Sequence, residues 1–123
     1  MAKLTEEAKK AVDTIRPSLV ATAGKSGKPN VSAKGSIRVL DDEYITFLDI
    51  DSPRTVQNIR ENPQVAIICL DPVSRKGCRV WGQAELIQSG ELFDRVVAVW
   101  AAKTGPRKVN HVVKIKVEEV ETF

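Results

Sequence analysis

Apolar residues recur along this chain at two spacings, and the switches between them mark out the elements of the fold. Leu4, Ala8, Ala11 or Val12, and Ile15 fall on one face of a helix from about Leu4 to Ile15, with Glu6 and Glu7 suiting the dipole of its first turn. Pro17 stops that helix. Ser18 to Ala23 reads as a strand, Gly24 to Pro29 as a turn, and Asn30 to Leu40 as a second strand. Gly35, inside the second strand, marks a bulge or a close approach to the backbone. After Asp41-Asp42-Glu43, Tyr44 to Ile50 has the β-branched and aromatic content of a third strand.

Ser52-Pro53 carries a helix-start pattern, with serine as N-cap and proline at the first helical position, for a short helix to about Glu61. Gln64 to Leu70 and Cys78 to Ile87 read as strands around the polar, basic loop Asp71 to Gly77. Ser89 caps a helix over Gly90 to Ala102, where Phe93, Val96, Val97 and Trp100 form a stripe at helical spacing. Val109 to Phe123 closes the chain as a strand, Val113, Ile115 and Val117 alternating with Lys114 and Lys116. Six strands and three helices in this order lack the regular strand-helix alternation of a doubly wound sheet. They predict one domain over residues 1–123, built as a six-stranded antiparallel barrel with three peripheral helices.

Composition narrows the chemistry. With 42% hydrophobic and 28% charged residues, the chain has the balance of a folded soluble domain rather than a disordered one. No stretch approaches the length of a membrane span, and the first residues form an amphipathic helix rather than a secretory signal, so the expected location is cytoplasmic. Cys69 and Cys78 lack metal-ligand company and read as buried free thiols. A net charge of +3 is too small to indicate nucleic-acid binding. His111 is the sole histidine, which excludes a His-rich metal centre within one chain, and it reads as a surface or strand-end residue. The sequence contains neither a dinucleotide fingerprint nor a nucleophile elbow.

The informative segment is Asp51-Ser52-Pro53-Arg54-Thr55. A helix N-terminus suits a phosphate, and Arg54 in the first turn runs against the usual preference for acidic residues there. An anion over that turn would reverse the penalty, although this segment taken alone is more simply read as an ordinary capped helix with a solvated arginine. Asn30, Ser32, Lys34 and Ser36 give the second strand a polar face, and Lys34-Gly35 would let a cofactor ring approach the backbone beside a cation. Trp81 reads as core, with Arg79 on the opposite face toward solvent, a partner subunit or a ligand phosphate.

These segments resemble the pyridoxamine-phosphate-oxidase-like family of FMN-binding split barrels. The likeness runs from about Leu19 to Leu86 through Leu19-Val20-Ala21-Thr22-Ala23, Asn30 to Ser36, Ser52 to Pro63 and Arg79-Val80-Trp81-Gly82-Gln83-Ala84. The resemblance implies a split barrel binding FMN at a homodimer interface, as a small oxidoreductase or electron-transfer protein with a small-molecule donor or acceptor. It places Ser32, Ala33, Lys34, Gly35 and Ser36 along the isoalloxazine ring, Leu48 and Asp49 at the ribityl region, and Arg54 and Thr55 on the phosphate. Cys78 and Arg79, or the segment near Trp100 and Lys108, would complete the other copy's pocket. Thr55 stands where the true vitamin oxidases carry Lys or Arg, Cys78 stands at their cross-dimer glutamine, and their long C-terminal region is missing, so oxidation of pyridoxamine phosphate is not expected. Related split barrels use a deazaflavin or haem, for which His111 is the only histidine ligand candidate. A cofactor-free dimeric binding module is the remaining alternative.

Overall fold

A computed structural model describes residues 2–123 as an antiparallel sheet curled into a split barrel, with three helices around it. The elements are α1 (Glu6–Thr14), β1 (Ser18–Ala23), β2 (Pro29–Lys34), β3 (Arg38–Val39), β4 (Tyr44–Asp49), α2 (Pro53–Glu61), β5 (Gln64–Leu70), β6 (Gly77–Ile87), α3 (Glu91–Thr104) and β7 (His111–Thr122). The strand order is β2-β1-β5-β6-β7-β4-β3, with every neighbouring pair antiparallel.

The described residues form seven strands where the hydrophobic pattern predicts six, because the predicted second strand is two. Its first half pairs with β1 and its second half with β4, at opposite ends of the sheet order. Gly35 to Ile37 therefore carries the chain across the split in the barrel. That crossing is pinned by Ser36 Oγ, which accepts from Leu48 N–H at 2.9 Å, and by Ile37 O, which accepts from Arg16 Nη1 at 2.5 Å.

The barrel interior is filled by Val20, Ile37, Ile45, Phe47, Ile67, Val80, Val113, Ile115 and Val117, all essentially inaccessible to solvent. α1 closes one end through Leu4, Ala8 and Val12, and Thr5 caps it by accepting from Ala8 N–H at 3.1 Å. α3 packs on the outside of β4 and β7, where Leu48, Val96, Trp100 and Val112 make a second cluster. At the Trp81/Gly82 bulge, β6 presses so closely on β7 that a Cβ on Gly82 would lie 2.3 Å from Lys116 O. Glycine is required there by this approach of two backbones.

Two predicted caps are used differently. α3 begins at Glu91 with Gly90 at the cap position, φ 108°, rather than at Ser89. Ser52 occupies the cap position of α2, but its side chain makes no capping bond, for a reason that lies in the site.

Candidate functional site

The end of β2, the end of β4, the start of α2 and the last turn of α3 converge on a cavity of about 410 Å³. Lys34, Ser36, Leu48, Ser52, Trp100 and Arg107 supply its distinctive side chains, and Ala33 and Gly35 supply backbone. The sequence prediction therefore comes together at Ala33, Lys34, Gly35, Ser36 and Leu48. It omits Trp100 from this chain's own pocket because that residue also belongs to the apolar stripe of α3, and it misses Arg107 because turn arginines carry no pattern.

Lys34 reaches inward. Its ammonium donates to Ser52 Oγ and lies 5.4 Å from the centre of the Phe47 ring, which explains why Ser52 does not cap α2. Burial pushes the Lys34 pKa down, and the nearby charge of Asp49 offsets part of that shift. Between this lowered value and the ordinary 10.5, the folded chain holds fewer protons than the unfolded chain, so this lysine makes stability rise with pH across that window. Lys34→Met is expected to remove the rise. Its stability relative to the parent should be greatest near neutral pH and decline toward pH 10.5, as read from denaturant unfolding at a series of pH values. A stability difference that does not change with pH would contradict the assignment.

Beside the cavity lies a buried polar pair. Asp49 and His111 face each other across β4 and β7, only 3% and 7% exposed, with His111 Nδ1 2.6 Å from Asp49 Oδ2. The other carboxylate oxygen, Oδ1, accepts from Ser52 N–H at 3.0 Å, so one side chain ties β4, β7 and the start of α2 together. Arg60 Nη2 stands 3.5 Å from His111 Nε2. A guanidinium only donates, so Nε2 presents its lone pair and Nδ1 carries the proton given to Asp49. His111 begins the last strand, as expected, but it is buried rather than at the surface, because Asp49 is its register partner.

The remaining predicted residues are placed elsewhere. Ser32 and Thr55 bond each other, Oγ to Oγ1 at 2.7 Å, and fasten β2 to α2. Arg54 is exposed and outside the cavity lining. Cys78 is fully buried under α1 and cannot line a pocket without unfolding that end of the barrel. Arg79 lies on the outer sheet face, paired with Glu121 and 5.8 Å from the Trp81 ring centre. Residues 79 and 81 therefore share a face, and Trp81 is half-buried there; the inward residue is Val80, between them.

Comparisons with known proteins fit this architecture. The family model for pyridoxamine 5'-phosphate oxidase matches residues 4–123. An uncharacterised protein of Methanocaldococcus jannaschii is 37% identical over 124 residues, covering 96% of this chain and 79% of that protein. Among solved structures, HupZ of Group A Streptococcus superposes with a TM-score of 0.87 at 27% identity, covering 97% of this chain and 93% of its own. HutZ, the haem storage protein from Vibrio cholerae, gives 0.77 at 22% identity, covering 99% and 95%. An FMN-binding protein from Syntrophomonas wolfei gives 0.86 at 18% identity, covering 97% and 85%.

The expectation of FMN is corrected by these likenesses. It rested on the family, and the similar split barrels include a haem storage protein, so the fold does not select FMN. Arg54 stands outside the cavity, while the hydroxyls of Ser52 and Thr55 are engaged by Lys34 and Ser32.

Proposed function

Because this chain belongs to the pyridoxamine 5'-phosphate oxidase family of split barrels, in which the fold serves as a cofactor-binding scaffold, we propose that its own cofactor is haem, held by a homodimer. One observation carries this reading. The only histidine of the chain is buried with its Nδ1–H on a carboxylate, which is the arrangement that orients a metal-ligating imidazole and makes its other nitrogen more basic.

The donor set fits an iron ligand. Asp49 fixes the ring and the tautomer, and Nε2 is the nitrogen left for iron. Arg60 covers that nitrogen from the exposed last turn of α2, so uncovering it requires a side-chain rotation rather than a change of fold. In the neighbouring cavity, Lys34 and Arg107 would offer cations to an acidic edge, and Leu48 and Trp100 would offer apolar surface. Bound haem would supply an iron centre for electron transfer or for a further ligand.

The same chemistry favours a second reading. Among the described residues, no histidine, cysteine or tyrosine lines the cavity itself, and the buried indole N–H of Trp100 has no hydrogen-bond partner. A deazaflavin, with ring carbonyls and an acidic tail, would use these groups without needing an iron ligand.

The homodimer reading rests on the outer face of β2, β1, β5 and β6. Val31 is 63% and Leu19 42% exposed there, with Ala21, Ala66 and Ile68 beside them around a depression of about 280 Å³. Large side chains next to such a hollow let a second copy seat its own on the same surface, as a two-fold interface requires.

The test is titration of the purified chain with haemin, followed by absorbance. Saturation near one equivalent per chain with a shifted Soret band supports the haem reading. Tight binding of the deazaflavin with no haemin saturation would replace it with the second reading.

A further inference from the structure

We propose that Cys69 and Cys78 are a dithiol–disulfide pair, able to close a reversible bridge between β5 and β6 beneath α1. The two residues are direct register partners, and both side chains point into the barrel with no solvent exposure. Flanking hydrogen bonds fix the type of pair. Asp71 N–H donates to Lys76 O at 3.0 Å and Ala84 N–H to Pro63 O at 2.8 Å, so the odd-numbered positions of β5 are the hydrogen-bonded sites of this ladder. The Cα atoms of such a pair stand about 5.5 Å apart, inside the range of about 4.4–6.8 Å that a disulfide spans. The strands are pressed together at this point, since a Cβ on Gly77 would lie 1.8 Å from Cys69 O.

The surroundings favour thiol exchange over metal binding. Among the described residues, no group of three or more metal-ligating side chains forms, and the polar side chain beside the thiols is Ser18, whose Oγ is 3.1 Å from Cys69 Sγ. Contact with the Cys78 thiol and then with Ser18 favours the Cys69 thiolate, whereas contact with Cys69 and burial raise Cys78. Ser18 Oγ gives Cys69 a hydroxyl neighbour that Cys78 lacks, so the exchange is written with Cys69 as the attacking sulfur and Cys78 as the resolving one.

With a small-molecule disulfide as oxidant, the Cys69 thiolate attacks one sulfur, forms a mixed disulfide and expels the first thiolate. Cys78 then loses its proton and attacks Cys69 Sγ, closing the bridge and expelling the second thiolate. The chain is oxidised by two electrons, and the small disulfide is reduced to two thiols. Cys78 Sγ sits 3.9 Å from the Ala8 carbonyl oxygen, so α1 covers the pair and its local release sets the rate.

The experiment equilibrates the full chain, without oxygen, across mixtures of oxidised and reduced glutathione, then quenches, denatures, alkylates and weighs it. The expected result is two species, one with two alkyl tags and one with none and two hydrogens lighter, exchanging as the ratio changes. Cys69→Ser and Cys78→Ser should each abolish the untagged species. Two tags at every ratio would overturn the proposal, provided the result persists in denaturant below the unfolding transition, where α1 opens. Glutathione retained on a single cysteine, or a bridge between two chains, would overturn it as well.

Discussion

Asp49→Ala is expected to cost about 2–5 kcal/mol of folding stability, since each buried donor left without a partner costs about 1–3 kcal/mol and this carboxylate serves two. The carboxylate has no substitute. Its Oδ2 holds His111 at 2.6 Å and its Oδ1 holds Ser52 N–H at 3.0 Å, in surroundings that leave Asp49 only 3% exposed. Alanine would strand a buried imidazole donor and the first free N–H of α2 together, and the cation of Lys34 would lose its nearby negative charge. Urea unfolding should show a lower midpoint at an unchanged slope. Asp49→Asn keeps an acceptor of the same shape and should remain folded, yet lower haemin affinity about 10–100-fold through the loss of ligand orientation and basicity. If Asp49→Ala lay within about 1 kcal/mol of the parent, the pair would not be what joins β4, β7 and α2.

Leu19→Asp is expected to convert a dimer into a folded monomer. Leu19 lies mid-row on the outer face, between Ala33 of β2 and Ile68 of β5, with Arg79 of β6 beyond. The parallel row runs Val31, Ala21, Ala66 and Trp81. In the monomer an aspartate at this exposed position is solvated and harmless. In the dimer it is buried without a partner, at a cost of several kcal/mol, or at least about 100-fold in the dissociation constant. Sedimentation should show the parent as a dimer and the variant as a monomer with an unchanged circular dichroism spectrum. A parent that sediments as a monomer, or a variant that stays dimeric, would remove this face from the account.

The fold was legible in the sequence wherever one residue pattern served one purpose. The alternation of Val113, Ile115 and Val117 with lysines places β7, and the stripe from Phe93 to Trp100 places α3, because in each case a single buried face dictates the pattern. It failed at Gly35 to Ile37, where local β propensity is continuous but the two halves pair with strands at opposite ends of the sheet. Strand partners are long-range facts that propensity does not carry.

The cavity was legible in part for the same reason. Lys34 and Leu48 sit on strands whose faces the period of two assigns, Gly35 and Ser36 follow directly on the end of β2, and four of the five second-strand site residues line the cavity. The Ser52–Arg54–Thr55 segment is only partly legible, because the serine and the threonine at this helix start have internal uses that a linear pattern cannot show. Ser52 takes Lys34, Thr55 takes Ser32, and Arg54 turns to solvent. Conversely, the link between His111 and Asp49 spans 62 positions and exists only through the β4–β7 register. No spacing rule finds it, although a lone histidine opening a strand and an aspartate ending another are the two halves of the signal.

The central claim is that His111 is the iron ligand of a haem-binding split barrel, and haemin titration of the parent chain and His111→Ala side by side tests it most directly. The account predicts a saturating Soret shift for the parent and a loss of at least about 100-fold in affinity for the variant, compared below the variant's own unfolding transition, where circular dichroism shows both chains folded. Equal haemin affinity and identical spectra for the two proteins would contradict it.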